Sequence, residues 1–474
     1  MPEYDVIIVG AGIAGSTLAA MLAPHASLAL IDRDIAAIPG STGHAPGVVA
    51  QINSIPALAE LARRSVAYYS RIPGGFDAVG GLEVALGAGE TPQTLEARAA
   101  LAHSLGLAAE VLSQEQAASL APAFVRDDAA GAVHFPNDGL CNAKGVTRAN
   151  VLKAKTHGAT LLDGNVTTIA NASGWQVSVE AALADGAPPP ACSESGWRVT
   201  VMTAAGTRTL TAAHVVVCTG AWAGQLLPSL DAAAVAVAHP YAFSERRARR
   251  PPPPRSDLLR KPGSLAPFVR FPGQTVYARD HGERDGLGSY AHPPVHVKAS
   301  ALRSQGSGVA AWETRFDGWM DNSASVLPDE TARTFHGPRV VIPRSTKGDG
   351  WSVLESHDVP HAFAGLMTMT PDGMPLCGRM RDGAGGTLWA LVGTWVTHAA
   401  GSAGVLAPQI LAALGKKTLR ADDAWLRAAL DPHRFDGMAD AEREKHCLDK
   451  YADIWNRKEQ CIVVASRPRT TAKM

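Results

Sequence analysis

Residues 4–32 read YDVIIVGAGIAGSTLAAMLAPHASLALID. Tyr4–Val9 is a short apolar run of the kind that forms a buried parallel strand. Gly10, Gly12 and Gly15 follow at G-x-G-x-x-G spacing, and then a helical run through Leu18 and Leu22 stops near Pro24. Leu28–Ile31 predicts a second strand that ends at Asp32. Strand, glycine turn, helix, strand and acid in this order predict a βαβ unit that holds a dinucleotide. Gly10 permits the tight turn, Gly12 lets the backbone approach a pyrophosphate, and Gly15 lets the helix lie close to the strand. The helix start then faces the phosphate charge with its positive end. Asp32, with Arg33 beside it, can accept hydrogen bonds from a ribose hydroxyl. The glycine pattern alone does not choose between NAD and FAD.

Just beyond lies GSTGHAPG, residues 40–47. A glycine-rich loop here would run along the bound nucleotide, and its one reactive side chain is His44. A nucleophilic imidazole against a flavin ring can tether that ring covalently. A loop histidine hydrogen-bonded to backbone would fit the same letters. Further along, residues 91–120 contain Ala- and Leu-rich helical stretches. Val166–Ile169, Trp175–Val179, Trp197–Met202 and Thr207–Leu210 alternate like a strand meander, interrupted by a loop around Pro188–Pro190. Val215–Cys218 is a continuous apolar strand that leads into Thr219-Gly220-Ala221-Trp222. Glu245–Arg255 is a basic, proline-rich insertion that reads as a solvated loop. Leu388–Val392 is a last strand. It enters a helix from about Ser402 to Leu414, with Gly415 as the stop. A nucleotide fold whose last strand–turn–helix unit is this distant must carry a second domain as insertions.

The chain has 474 residues, with 44 Lys+Arg and 44 Asp+Glu. That balance creates no field that would attract nucleic acid or an anionic membrane. No apolar run reaches membrane-spanning length, and the N-terminus carries no signal-peptide pattern. Cys141, Cys192, Cys218, Cys377, Cys447 and Cys461 lack metal or redox spacing and suit reduced thiols in an intracellular protein. Asn165 and Asn171 open glycosylation-like triplets that are read as chance matches. The terminal Ala-Lys-Met is a variant of a peroxisomal address. The expected location is therefore peroxisomal or cytoplasmic.

Together the segments GAGIAGS (10–16), GSTGHAPG (40–47), VGGLEVA (79–85), TGAW (219–222), DHGERDGLGSYAHPP (280–294), TMTPDGMPLCG (368–378) and TWVTHAAG (394–401) resemble the D-amino-acid oxidase superfamily. The likeness is greatest to its dimethylglycine oxidase/dehydrogenase and sarcosine oxidase branch. The resemblance implies an α/β fold: a discontinuous FAD-binding Rossmann-like domain (1–82, 140–225 and 360–425) interleaved with a mixed β-sheet substrate domain (83–139 and 226–359). Residues 426–474, with Tyr451 and Trp455, resemble the segment that leads into a folate-binding domain in dimethylglycine oxidases. That domain does not follow here. The expectation is that formaldehyde leaves free, or that the substrate is not an N-methyl amine.

The resemblance also implies the site. FAD would be held by Gly10, Gly12, Ile13, Ala14, Gly15, Asp32, Arg33, Ser41, Thr42, Gly43, Val48, Val166, Gly220, Trp222, Thr394, Trp395, Val396, Thr397 and His398. His44 matches the histidine that carries covalent FAD, whereas relatives tethered through cysteine place it where this chain has Gly365. Ser41 and Thr42 would bind pyrophosphate, and Val166 would contact adenine through its backbone. Residues 394–398 would line the flavin's pyrimidine edge, with the helix after them aimed at N1 and C2=O. His398 could equally be a structural hydrogen-bonding residue. His239 and Tyr277 match the pair that lines the amine site, and Tyr241 shares the face of His239. Arg270 and Arg279 are available to bind a carboxylate, and no pattern selects one. The implied reaction is oxidation of a small secondary or tertiary amine by hydride transfer to flavin N5. Hydrolysis of the iminium and reoxidation by O2 to H2O2 would follow. A dehydrogenase passing electrons to a partner flavoprotein, or a regulatory homologue without catalysis, fits the same motifs.

Overall fold

The computed structural model describes residues 2–87, 90–171, 176–178, 196–246, 265–298, 302, 323–335, 362–381, 387–416 and 423–455. The loop at 188–190, most of the basic insertion (247–255), Cys192, Cys461 and the terminal tripeptide lie outside them.

The opening unit forms as its sequence dictates. Strand Tyr4–Val9 pairs in parallel with Leu28–Asp32, and helix Ile13–Leu22 connects them. Gly10 has φ +105°, and a Cβ on Gly15 would lie 1.8 Å from the Gly10 carbonyl oxygen, so helix and strand close to backbone contact. Around this unit the described residues form a sheet in the order Gln176–Ser178, Asn165–Asn171, Trp197–Thr203, Gly206–Val217, Tyr4–Val9, Leu28–Asp32, Thr160–Asp163. Leu388–Val392 joins it beside Val215–Val217 in parallel register.

The two runs expected at 207–210 and 215–218 are one strand, Gly206–Val217. Its first half has an exposed face and pairs antiparallel with Trp197–Thr203. Its second half is buried on both faces and pairs in parallel with Tyr4–Val9. The switch from alternating to continuous apolar sequence marks where a half-exposed ladder enters the parallel core.

A second, mixed sheet runs Val295–His296, Val235–Phe243, Asp285–Ser289, Val276–Asp280, Phe268–Phe271, Gly81–Ala85, Gly131–Phe135, Glu110–Leu112. Strand Ala362–Met369, expected with the nucleotide-binding segments, pairs instead with Val235–Phe243 in this second sheet. The fold is thus the α/β combination of a Rossmann-like sheet and a mixed sheet.

Helix Ala399–Ala413 begins at the N-cap His398, three residues before the expected start at Ser402. It crosses helix Pro56–Tyr69 closely, because a Cβ on Gly401 would lie 2.3 Å from the Leu61 carbonyl oxygen. Gly415 ends it at φ +69°, and the Lys416 amide donates back to the Leu411 carbonyl. Residues 426–455 are no peripheral extension. Leu426, Ala429 and Leu430 belong to the core around the first helix, and Phe435 is buried under the first sheet. Helix Asp440–Ala452 packs Cys447 and Tyr451 against Val235, Val237 and Met369 of the second sheet.

Among the described residues Cys141, Cys218, Cys377 and Cys447 are free and buried. No helix there is long and apolar enough to cross a membrane.

Candidate active site

One cavity of about 950 Å³ joins the two sheets. At one end it is lined by Gly10–Ala14, Asp32, Arg33, Ser41, Thr42, Val166, Gly220 and Trp222, and in its middle by His44, Val48 and Thr394–His398. At the other end stand His239, Tyr241, Arg270, Tyr277 and Tyr290.

The nucleotide end is built mostly from backbone. Gly12 is the N-cap of helix Ile13–Leu22 and supplies no capping side chain, which suits an anionic ligand at the helix start. Thr42 Oγ1 accepts from the Ile13 amide at 3.0 Å and sits 3.0 Å from where a Gly12 Cβ would be, tying the 40–47 loop to the glycine turn. Asp32 Oδ2 accepts from the Ala11 amide at 2.6 Å, so one carboxylate oxygen shapes the turn. Burial raises the Asp32 pKa, and the Ala11 hydrogen bond opposes that shift. The Arg33 guanidinium lies 4.6 Å over the Trp222 ring. A β-bulge between Val166 and Thr168 interrupts the ladder beside the cavity.

Two expected contacts fall elsewhere. Gly43 does not line the cavity; a Cβ there would strike the Ile38 carbonyl at 2.1 Å, so the residue serves packing of the loop. Gly15 likewise lies behind the lining and serves the helix–strand approach. The helix aimed at the middle of the cavity is also partly spoken for. The Ala400 amide donates to Tyr69 Oη at 3.3 Å and the Gly401 amide to Ser65 Oγ at 2.9 Å. A neighbouring helix therefore takes two first-turn amides that would otherwise carry the positive end of the dipole. His398 is buried against Trp395, and burial drives its pKa down to about 3.

His44 ends a single helical turn, Ser41–His44, and its Nδ1 lies 3.1 Å from the Gly40 carbonyl oxygen. A carbonyl only accepts, so Nδ1 carries the proton and the neutral ring keeps its lone pair on Nε2. Burial lowers the His44 pKa, the Gly40 hydrogen bond opposes this, and nearby Lys144 lowers it further.

The second-sheet end is a cross-strand row. In register, Glu83 faces Arg270, Arg270 faces Tyr277, Tyr277 faces Gly288, and Gly288 faces Tyr241. Residues directly opposite share a face, and from this row Arg270, Tyr277 and Tyr241 line the cavity. Gly288 makes the row possible, because a Cβ there would lie 2.2 Å from Tyr277 Cζ. His239 sits two residues from Tyr241, opposite Gly365. Its Nε2 is 2.9 Å from Tyr277 Oη, and the two rings are nearly parallel at an interplanar angle of 6°. Burial drives the His239 pKa down to about 3, helped by His292, and holds the Tyr277 hydroxyl well above its usual range.

The two arginines differ in position. Arg279 is not among the residues lining the cavity and donates to the Pro46 carbonyl, joining the second sheet to the 40–47 loop. Arg270 lines the cavity, with Nη2 2.6 Å from Glu83 Oε1. Glu83 is also gripped by Arg98, at 2.6 and 2.9 Å. Glu83 thus sits between two guanidiniums, the buried Asp138 carboxyl, raised by burial to about 7, lies near both, and the Arg270 Nε has no hydrogen-bond partner. No site role follows from the motifs for Tyr290, although it lies in the 280–294 segment, or for Ile454 and Trp455; all three line this end. No local spacing marks them, since they arrive from a loop and from the end of the last helix.

Residues 5–409 match the family described as FAD dependent oxidoreductase (DAO). Among solved structures the fold is similar to that of glycine oxidase from Geobacillus kaustophilus, at TM-score 0.60 and 20% identity over 92% of this chain and 99% of that one. It is also similar to L-proline dehydrogenase from P. horikoshii, at TM-score 0.58 and 19% identity over 92% and 99% of the two chains. Iminodiacetate oxidase from Chelativorans sp. BNC1 matches at TM-score 0.56 and 19% identity over 90% and 98%. With a glycine turn whose N-cap has no side chain, which suits pyrophosphate, and a family match spanning both sheets, this chain belongs to the DAO family of FAD-dependent oxidoreductases.

Proposed function

We propose that this enzyme oxidises the C–N bond of a small secondary or tertiary amine that carries a carboxylate, as in the sarcosine and dimethylglycine branch of the family. The observation that carries the reading is the cross-strand row, with an uncharged imidazole and phenol beside a buried guanidinium whose Nε has no hydrogen-bond partner. Arg270 is the carboxylate anchor, because its buried donors meet an anion without desolvating a new charge. Tyr277 and His239 receive the nitrogen. Both are neutral, and the buried surroundings favour the amine over its ammonium form, which frees the nitrogen lone pair. Bound FAD supplies the two-electron acceptor for the hydride of the carbon next to nitrogen, and O2 restores it with release of H2O2. Water then splits the iminium into aldehyde and dealkylated amine. His44 is the attachment point for FAD, because the Nδ1–H bond to Gly40 and the lowered pKa leave Nε2 a neutral nucleophile. Similarity to amino-acid oxidases that act on glycine and iminodiacetate agrees with a carboxylate-bearing amine.

An anaerobic screen of sarcosine, dimethylglycine, glycine and iminodiacetate tests the reading. Bleaching of the flavin band by at least one is expected, and a flavin that none of them reduces would refute the assignment. Acid precipitation of the holoenzyme tests the tether: colour in the pellet is expected, and colour in the supernatant rules the bond out.

A further inference from the structure

We propose that Tyr277, His239, Tyr451 and His292 form a directional proton relay that carries the amine proton from the cavity to the protein surface. The relay rests on the amine-oxidation reading above, which requires a proton to leave a buried site. The donor directions follow from the outer end. His292 Nδ1 lies 2.8 Å from the Pro293 carbonyl oxygen, which can only accept, so Nδ1 bears a hydrogen; the Ser289 carbonyl is a second acceptor at this ring, and the relay assigns Nε2 of the neutral ring as the acceptor facing Tyr451. Tyr451 Oη, 3.1 Å from that Nε2, therefore donates to it; the Ala238 carbonyl at 3.4 Å is the more distant acceptor. The lone pairs of Tyr451 Oη then accept from His239 Nδ1 at 2.8 Å. With its proton on Nδ1, His239 accepts at Nε2 from the Tyr277 hydroxyl at 2.9 Å. Every bond points outward from the cavity, where Tyr277 and His239 stand, to His292, which is half-buried beside exposed Pro293.

The balance closes. Tyr277 Oη takes a proton from the bound ammonium as its own passes to His239 Nε2. The His239 Nδ1 proton passes to Tyr451 Oη, and the Tyr451 proton to His292 Nε2. Each hop breaks one N–H or O–H bond and makes one. One positive charge moves from the amine to His292, which sheds it to water. No imidazole in the buried stretch has to persist as a cation, which suits a His239 ring held neutral by burial. The relay also explains why the last helix docks where it does. Helix Asp440–Ala452 brings Tyr451 between two histidines 53 residues apart on other strands and loops (292 − 239).

Two measurements on the holoenzyme test it. Nitrogen-15 spectra of the histidine side chains at pH 7 should show His239 and His292 neutral with the proton on Nδ1; an Nε2–H form at either would overturn the direction. In rapid anaerobic mixing with sarcosine, Tyr451→Phe should slow flavin reduction by about 100-fold and shift its pH profile towards higher pH, with flavin content unchanged. A wild-type rate and profile in Tyr451→Phe would overturn the relay alone. Wild-type enzyme that none of the four screened amines reduces would remove the amine reading and the relay with it. Should Tyr451→Phe not fold, His292→Ala serves: reduction should slow and recover with imidazole added to the buffer, and undiminished reduction without imidazole would overturn the proposal.

Discussion

The two ends of the cavity are made in opposite ways. At the nucleotide end, residues within about one βαβ unit of each other present backbone amides, and side chains such as Thr42 and Asp32 hold that backbone in place. At the second-sheet end, Glu83, Arg270, Tyr277 and Tyr241 come from four strands and act through their side chains, with Gly288 of a fifth leaving room for Tyr277. One end therefore tolerates changes of side chain but no added atoms, whereas the other depends on a register that each strand must keep.

That contrast can be broken at either end. The largest effect is expected from Gly15→Ala. Its Cβ would overlap the Gly10 carbonyl at 1.8 Å, where only backbone can yield. A cost of about 3 kcal/mol or more should empty the site of flavin, which the absorbance ratio of purified protein would read. Full flavin occupancy would show that the turn can give way. Arg270→Met should keep its flavin and lose about 100-fold in kcat/KM for a carboxylate-bearing amine, the equivalent of roughly 3 kcal/mol for a buried charged hydrogen bond. The same loss for an amine without a carboxylate would separate charge recognition from general disturbance of the row. Gly288→Ala should lower the reduction rate about 10-fold by displacing Tyr277, at a cost of roughly 1–2 kcal/mol, again with flavin retained. An unchanged rate would mean that the Tyr277 position does not matter.

A pH effect is shared by both ends. His239 and His398 are each lowered to about pH 3 by burial. A histidine whose folded pKa lies below its unfolded one stabilises the fold fully above about pH 6.5. That stabilisation is lost as pH falls toward 3, at about 1.4 kcal/mol per pH unit for each ring. Denaturant unfolding at pH 7, 6 and 5 should show this slope, and His398→Gln should flatten it by about half. A slope that does not change would place the acid sensitivity elsewhere.

Legibility in the sequence differs in the same way. Gly10, Gly12, Asp32, Ser41, Thr42, His44 and Thr394–His398 can be picked from local words, and the fold places them on the cavity. Gly43 escapes such reading because a glycine in a glycine-rich loop looks alike whether it faces a ligand or packs on a carbonyl. The helix start at Ala399 lies three residues ahead of the expected one, since Ala399–Gly401 lack a capping side chain of their own and borrow Tyr69 and Ser65 from another helix. Strand Ala362–Met369 joins the other sheet because an apolar run does not name its partner.

The sequence by itself determined the βαβ unit, the glycine turn and the histidine of the 40–47 loop, because these depend on steric limits and periodicities that act over a few residues. Only the tertiary structure placed Arg270 and not Arg279 on the cavity, and brought Tyr451 from the last helix to His239. Those choices rest on strand register and on which carbonyl lies next to which donor, and both are properties of segments that meet only when the chain has folded.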